Sequence, residues 1–146
     1  VKANFLALMA ACAKGRHFPF GCIQNQRSLL FSGNFSDAIA RSLDAPEAAG
    51  QTFLVRDDDD VSTPELATRL AQSLGTEPHL INIPVSGLKL AGLFTGRRGT
   101  IDRVVGSLSV DDSKIRRTLN WQPPYSTDRG LAATTAWYLQ SQNTRP

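Results

Sequence analysis

Apolar side chains recur at helical spacing along most of the chain, which predicts a protein rich in helix. In the first apolar stretch Phe5, Leu8, Met9 and Cys12 follow the i, i+3, i+4, i+7 rule of an amphipathic helix. A later apolar stretch has a signal at each end, because a capping box at 62–65 marks its start and Gly75 marks its end. The full set of predicted helices is 3–14, 34–43, 62–74, 85–95, 99–105, 111–119 and 127–141.

Short apolar runs between these helices predict strands near 28–32, at 51–55 ("QTFLV") and at 79–84 ("HLINIP"). Because one helix separates the last two runs, 52–83 has the pattern of a strand–helix–strand unit, most simply a right-handed parallel crossover. We therefore expect one small, helix-rich α/β domain over 1–146 with a short strand–helix–strand sheet.

Two helix ends carry specific signals. Asn34 is expected to cap the second helix, with Asp37 at the third helical position in place of the usual capping-box acid. Asn120 follows the helix at 111–119, and Asn tolerates the left-handed conformation that often ends a helix. Trp121 can then fold back on Ile115, and two prolines soon afterwards prevent the helix from continuing.

The apolar run at the start also resembles a signal peptide, since Lys2 precedes it and Ala11-Cys12-Ala13 resembles a cleavage site. Asn4 interrupts the run early, whereas a signal peptide has a more continuous apolar segment. An amphipathic helix of the mature protein is the favoured interpretation.

Composition narrows the class of protein further. In 146 residues, 41% hydrophobic and 20% charged side chains are typical of a folded protein and exclude a disordered or membrane-spanning chain. A net charge of +3, without a long basic stripe, gives little reason to expect nucleic acid as a partner. Cys12 and Cys22 have no metal or redox spacing and favour a reducing compartment, so we expect a cytoplasmic protein without a membrane partner.

Several catalytic signatures are absent from the sequence. There is no GxGxxG or GxxGxxG turn, no GxxxxGK[ST] loop, no HExxH frame and no GxSxG elbow. Neither Tyr125 nor Tyr138 has a lysine four residues later, so no Tyr-x-x-x-Lys pair exists to lower the pKa of a phenol. We therefore expect no catalytic acid or base in this chain, and His17 and His79 are interpreted as surface or packing residues.

Four consecutive carboxylates at 57–60 suggest calcium, because Ca²⁺ prefers oxygen ligands. An EF-hand loop starting at Asp57 would need glycine and glutamate where the chain has Ser62 and Thr68. A solvated acidic loop near a helix N-terminus is the favoured interpretation, and no metal site is expected.

One arginine stands apart from the other basic residues, most of which are interpreted as solvated. Arg27 precedes the apolar run "SLLF" and follows the loop "FPFGCIQNQ". Its planar fork could grip a diphosphate bidentately while an aromatic ring lies along a base or sugar.

Four segments together give the chain a family resemblance: "VKANFLALMAACAKGRHFPFG", "NQRSLLFSGNFSDAI", "AGQTFLVRDDDDVSTPELATRLAQSLG" and "SVDDSKIRRTLNWQPPYSTDRGL". In this order they resemble the C-terminal half of the NAD-dependent epimerase/dehydratase family, the extended short-chain dehydrogenases acting on nucleotide sugars, including UDP-glucose 4-epimerase-like proteins. In that family the N-terminal half is a Rossmann domain with the glycine-rich turn and the Tyr-x-x-x-Lys pair. The resemblance implies that this missing half holds NAD, and that the chain binds the nucleotide-sugar.

The resemblance also implies five site residues by position. Asn4 and Phe5 match the pair that opens the first substrate-domain helix and touches the nucleotide, and Phe20 falls in the segment lining the base pocket. Arg27 matches the arginine that binds the diphosphate, and Arg103 matches a second arginine that binds phosphate. The chain departs from the family in Asn120, where glycine is usual, and in "RDDDD", where the acidic loop usually contains glycine.

The functional expectation is a substrate-binding fragment of an NAD-dependent nucleotide-sugar epimerase or dehydratase, with no NAD bound to this chain alone. Two alternatives to this function remain. The chain could be a free-standing nucleotide-binding or regulatory module, or it could be a structural partner domain. Separation from the Rossmann half should also expose apolar area on the helices at 3–14 and 34–43, so either self-association or marginal stability is expected.

Overall fold

The described residues of the computed structural model, 4–96 and 98–143, form seven α-helices joined by short strands and loops. The helices are α1 (Asn4–Ala13), α2 (Ser32–Asp44), α3 (Thr63–Ser73), α4 (Val85–Phe94), α5 (Arg98–Val105), α6 (Ser113–Leu119) and α7 (Thr127–Asn143). The strands are β1 (His17–Phe18), β2 (Arg27–Ser28), β3 (Asp60–Val61) and β4 (His79–Leu80), and one 3₁₀ turn covers Pro46–Ala48. All seven helices agree with the prediction to within two residues at each end, except that residue 3 lies outside the described residues.

The strands form two small sheets, and their pairing differs from the sequence prediction. β1 and β4 are parallel, with His17 opposite His79, whereas β2 and β3 are antiparallel, with Arg27 opposite Val61. The predicted strand at 51–55 is wrong, because this segment pairs with no strand in the described chain and Leu54 is 58% exposed. The predicted crossover over 52–83 is therefore wrong as well, since β3 and β4 lie in different sheets. The helix-rich α/β class itself is confirmed.

The larger core cluster lies where α3 packs between α1 and α7. The capping box predicted at Ser62 is present, because its hydroxyl accepts from the backbone N–H of Glu65 and the Glu65 carboxylate accepts from the Ser62 N–H. The apolar stripe of the helix is buried as predicted, with Leu70 fully buried beside Met9 of α1. Burial of a leucine side chain contributes about 1.5–3 kcal/mol, so this stripe is what holds α3 in place.

A second core cluster gathers around the end of α6. Asn120 adopts the left-handed conformation with φ 49° and ψ 38°, as predicted. Trp121 then packs in the same buried cluster as Ile115 and Leu119, which confirms the predicted fold-back. The indole N–H of Trp121 donates to Asp37 at 2.7 Å, so Asp37 ties α2 to this cluster and does not serve a capping box.

The start of α2 corrects another prediction. The helix begins at Ser32, and Asn34 is fully buried inside it rather than capping its end. The carboxylate of Asp57, which is distant in sequence, accepts the backbone N–H of Phe31 just before the helix. On the solvent side, Phe35, Ile39 and Leu43 form an exposed apolar stripe, as expected for this helix.

The N-terminal helix does not show the same exposure. Met9 and Cys12 of α1 are buried, and its other large apolar residues are at least partly buried, so the expected exposed surface on this helix is absent. Within 4–96 and 98–143, no helix is both long enough and apolar enough to cross a membrane.

Candidate functional site

Arg27 lies in the central strand of a small three-segment arrangement. β2 pairs with β3 on one side, and on the other side Arg27 forms a parallel bridge with Leu108. Backbone hydrogen bonds of 2.8–2.9 Å from Leu108 to Gln26 and from Ser28 to Leu108 fix this second side. The half-buried guanidinium donates from Nη2 to the carbonyl of Gly106 at 3.0 Å. The backbone that carries Arg27 is therefore held from both sides.

Asn25, two residues before Arg27, is the centre of a buried hydrogen-bond cluster. It is 4% exposed, and its Nδ2 donates to Thr63 Oγ1 at 2.9 Å, to the Val104 carbonyl at 3.1 Å and to the Gly106 carbonyl at 2.9 Å. Its Oδ1 accepts the backbone N–H of Thr63 at 2.8 Å, and Thr63 Oγ1 donates to Val104. The cluster joins the start of α3, the end of α5 and the carbonyl that also accepts from Arg27.

Arg103, the second predicted phosphate arginine, lies on α5, one residue before a carbonyl of the Asn25 cluster. Its side chain is exposed, and Nε donates to the carbonyl of Gly99 in its own helix at 2.9 Å. The structure thus places Arg27 and Arg103 on two segments that Asn25 connects.

The other three predicted site residues lie toward the larger core. Asn4 is exposed at the first residue of α1. Phe5 packs partly against the core and lines a cavity of about 250 Å³ with Leu29, Leu30 and Phe31, the residues that follow β2. Phe20 packs on Phe18 with ring centroids 5.1 Å apart. The structure therefore joins Phe5 to the segment after Arg27, whereas in the described part of the chain no hydrogen bond or ring contact joins Phe20 to either arginine.

The acidic run at 57–60 differs from the predicted solvated loop, because each carboxylate has a separate protein partner. Asp57 is 2% exposed and accepts from Asn34 Nδ2 at 2.7 Å as well as from Phe31. Asn34 in turn donates to the carbonyl of Tyr125 and accepts its N–H, which joins α2 to the segment before α7. The predicted nearness to a helix N-terminus is confirmed at Asp58, which accepts both the N–H and the hydroxyl of Thr127 at 2.8 Å.

The last two carboxylates of the run bind arginines and hydroxyls. Asp59 pairs with Arg69 of α3 at 2.9 Å. Asp60 accepts the hydroxyl of Ser28 at 2.6 Å and pairs with Arg56 at 3.3 Å, so it fastens β2 to β3 through side chains as well. Its partial burial would raise the pKa, but the hydroxyls of Ser109 and Ser28 and the charge of Arg56 hold the pKa of Asp60 below its usual value.

Arg116 is not the solvated residue that the sequence suggested. Its Nε lies 2.7 Å from the carboxylate of Asp112, which is only 3% exposed, and Asp112 also pairs with Arg56 at 3.3 Å. Arg116 is therefore one of two arginines that compensate the buried charge of Asp112, which gives it a structural role. Arg117, its neighbour, is exposed.

The acidic, histidine and cysteine side chains are the other candidate reactive groups of the chain. No cluster of three or more His, Cys, Asp or Glu side chains in the part of the chain that the structure describes could hold a metal ion. Burial raises the pKa of the Cys12 thiol to about 11, which suits an inert core thiol rather than a nucleophile. His17 and His79 stack on each other with ring centroids 4.8 Å apart, away from the Asn25 cluster in the β1–β4 sheet.

The sequence did not predict the structural roles of Asn25, Asn34 and Asp57, three buried polar residues that join distant segments. One signal for Asn25 was available, since an amide two residues before a candidate binding arginine can fix a loop through several hydrogen bonds. Asn34 and Asp57 gave no such signal, because their partners are distant in the sequence.

Comparison with known proteins adds a relative that covers almost the whole chain. No family model matches the sequence. UDP-glucose 4-epimerase from Vibrio cholerae is 42% identical over 144 residues, which are 98% of this chain and 44% of that protein. The chain thus spans less than half of the length of this relative.

Two solved structures share the fold. One is UDP-N-acetylglucosamine 4-epimerase from Bacillus cereus, with a TM-score of 0.67, 14% identity, and coverage of 93% of this chain and 43% of that one. The other is UDP-glucose 4-epimerase with UDP-glucose from Thermotoga maritima, with a TM-score of 0.64, 17% identity, and coverage of 97% and 41%. Because these sequence identities are low, the two structures are evidence for the fold of this chain and for nothing beyond the fold.

Proposed function

We propose that this chain is the substrate-binding region of an NAD-dependent nucleotide-sugar epimerase or dehydratase. As the sequence resemblance predicted, the chain is related to the C-terminal part of UDP-sugar 4-epimerases. The observation that carries the proposal is the 42% identity extending over 98% of the chain. The ligand of the proposed site is a nucleotide-diphosphate sugar, and the domain is the whole of 1–146.

The geometry supports a diphosphate role for Arg27. Its strand is held on both sides, and Gly106 orients the guanidinium through one hydrogen bond, which leaves donors of the fork for a ligand. Arg103 would add a second positive charge from α5. Asn25 fixes the backbone of both segments through the carbonyls of Val104 and Gly106, so the strand of Arg27 and the end of α5 keep one relative position.

The remaining predicted residues would bind the rest of the ligand. Phe20, half-buried beside Phe18, offers a ring for the base, while Asn4 and Phe5 contact the nucleotide from the start of α1. These roles follow from the family resemblance.

The residues of this chain do not fit NAD. The glycines with left-handed backbone, Gly15, Gly50, Gly75 and Gly96, are far apart in the sequence, so they form no glycine-rich phosphate turn. We therefore assign cofactor binding and the Tyr-x-x-x-Lys chemistry to the N-terminal half of a parent enzyme.

The test joins this chain to the N-terminal half of the Vibrio cholerae epimerase and measures interconversion of UDP-glucose and UDP-galactose. We expect activity in the fusion, and a KM raised about ten- to a hundredfold by Arg27→Lys, since charge-assisted hydrogen bonds contribute roughly 1.5–3 kcal/mol and lysine cannot reproduce the fork. Arg117→Lys, which changes an exposed arginine, is the matched control and should leave KM unchanged. A folded fusion without activity contradicts the proposed function, whereas an active fusion with unchanged KM in Arg27→Lys contradicts only the role of Arg27.

The chain alone should show no epimerase activity and no saturable NAD binding in calorimetry, because it lacks both the glycine turn and the Tyr-x-x-x-Lys pair. NAD binding at micromolar strength would contradict this division of roles.

A further inference from the structure

The C-terminal end of α5 presents carbonyl groups that the helix itself does not serve. A helical bond of 2.9 Å from the Gly106 N–H to the Asp102 carbonyl closes its last turn. The N–H of Leu108, which would serve the Val104 carbonyl if the helix continued, instead donates to the Gln26 carbonyl at 2.8 Å. The last carbonyls of a helix need donors from elsewhere, and they carry the negative end of the helix dipole.

Two distant segments supply these donors. Asn25 Nδ2 lies 2.9 Å from the Gly106 carbonyl and 3.1 Å from the Val104 carbonyl, and Thr63 Oγ1 donates to Val104 at 2.9 Å. Nη2 of Arg27 lies 3.0 Å from the same Gly106 carbonyl. The amide of Asn25 and the guanidinium of Arg27 therefore share one acceptor.

The shared carbonyl determines how many donors of Arg27 remain for a ligand. A guanidinium has five N–H donors in a planar fork. With Asn25 present, Arg27 gives one bond to Gly106 and the other donors stay available. Without the amide, the carbonyls at the end of α5 would lose a donor, and the nearby charged guanidinium would form strong hydrogen bonds with them. The fork would then turn toward α5, where the negative end of the helix dipole also attracts it.

We propose that Asn25 is a positioning residue for the nucleotide-diphosphate sugar. Its amide occupies the carbonyls at the end of α5 and so keeps the fork of Arg27 directed at the diphosphate. The inference rests on the proposed function, because it takes Arg27 as the residue that binds the diphosphate. Asn25 is 4% exposed, so it acts through Arg27 and not by touching the ligand. Its bonds lie inside the described chain and do not depend on what covers the outer surface.

The test uses the fusion with the N-terminal half of the Vibrio cholerae epimerase and measures KM and kcat for UDP-glucose. Asn25→Ala should raise KM about tenfold, because a charge-assisted bond to the diphosphate is lost, and should change kcat by less than about twofold. In the Arg27→Ala background the same change should raise KM by less than about twofold, because no fork remains to be misdirected.

Thr63→Val is the control for a purely structural effect. It removes the hydroxyl that accepts from Asn25 and donates to Val104, and it leaves both side-chain bonds to Gly106 in place. We expect a lower melting temperature with an unchanged KM for UDP-glucose. An equal rise of KM in Thr63→Val and Asn25→Ala would mean a general loosening of the cluster and would contradict the proposal.

Asn25→Asp replaces Asn25→Ala if the alanine variant does not fold. It keeps the shape of the side chain and the acceptor for the Thr63 N–H. In place of the donor it puts a carboxylate oxygen, which the Gly106 carbonyl repels and the Arg27 guanidinium attracts. This variant should also raise KM, and again only when Arg27 is present.

Nuclear magnetic resonance of the 146-residue chain alone observes the guanidinium without any need for activity. In either Asn25 variant the guanidinium hydrogens of Arg27 should exchange with solvent more slowly than in the parent, because more of them form hydrogen bonds within the protein. An unchanged exchange rate contradicts the proposal, as does an active fusion in which the Asn25 and Arg27 changes multiply KM independently. A folded fusion without activity contradicts the proposed function instead, and the exchange rates then still decide the role of Asn25.

Discussion

Replacing Asn25 by alanine tests whether one buried amide assembles the proposed substrate site. The change removes the three hydrogen bonds that Nδ2 donates and the one that Oδ1 accepts. It also leaves the N–H of Thr63, in the first turn of α3, without its partner at a residue that is 8% exposed.

The expected loss of stability follows from these bonds. Each contributes a net 0.5–1.5 kcal/mol, and an unpaired buried donor costs about 1–3 kcal/mol. Because Nδ2 has only two hydrogens for three acceptors, its bonds count as about two. We therefore expect Asn25→Ala to lower the free energy of unfolding by roughly 2–6 kcal/mol, a large fraction of the 5–15 kcal/mol typical of a domain.

This loss is measured by urea unfolding monitored with circular dichroism. Gln24→Ala is the matched control, because the neighbouring Gln24 is exposed and its replacement should change the free energy of unfolding by less than about 0.5 kcal/mol. Thr63→Val removes the other side of the cluster, so a double-mutant cycle with Asn25→Ala should show a coupling of about 0.5–3 kcal/mol. A free energy of unfolding for Asn25→Ala close to that of Gln24→Ala, or strictly additive single changes, would refute the reasoning.

Three further outcomes are expected. The native protein should react with Ellman's reagent at Cys22 only, because Cys12 is buried and burial raises its pKa to about 11. In urea the Cys12 thiol should react as well. Two rapid reactions in the native state would contradict the buried position of Cys12. Asn120→Gly should leave stability unchanged or raise it, whereas Asn120→Ala should lower it by about 1 kcal/mol, since only glycine adopts the left-handed conformation without cost; urea titration distinguishes the two. Hydrogen bonds hold the pKa of Asp58 and Asp60 below the unfolded value of about 3.9. The two carboxylates therefore stabilise the fold above that pH, and this stabilisation is lost as the pH falls through their folded pKa values. Asp60→Asn should accordingly make the melting temperature less sensitive to acid.

Features that depend on neighbours in the sequence were predictable. The capping box of α3 and the left-handed Asn120 each rest on a few consecutive residues, and both are confirmed. The helices were predicted for the same reason, since the apolar spacing within a helix is a local property.

Features that depend on distant partners were not predictable in this way. The run at 51–55 has the composition of a buried strand, but Phe53 and Val55 pack on the cluster around α6 instead of pairing with a neighbour. Asn34 has the identity of a helix cap, but Asp57 already accepts the N–H that precedes the helix, so the helix starts two residues earlier. Arg116 looked solvated because nothing local shows that Asp112 is buried.

The acidic run shows why such partners matter for the site. Four identical residues follow one another, yet Asp57 binds the start of α2, Asp58 the start of α7, Asp59 an arginine of α3, and Asp60 the strand of Arg27. Residues 58 and 59 form a bend, so the side chains of the run reach out in different directions and contact several elements at once. Asp60 is the member of the run that bears on the proposed function, because its carboxylate accepts the hydroxyl of Ser28 and so fixes the strand that carries Arg27.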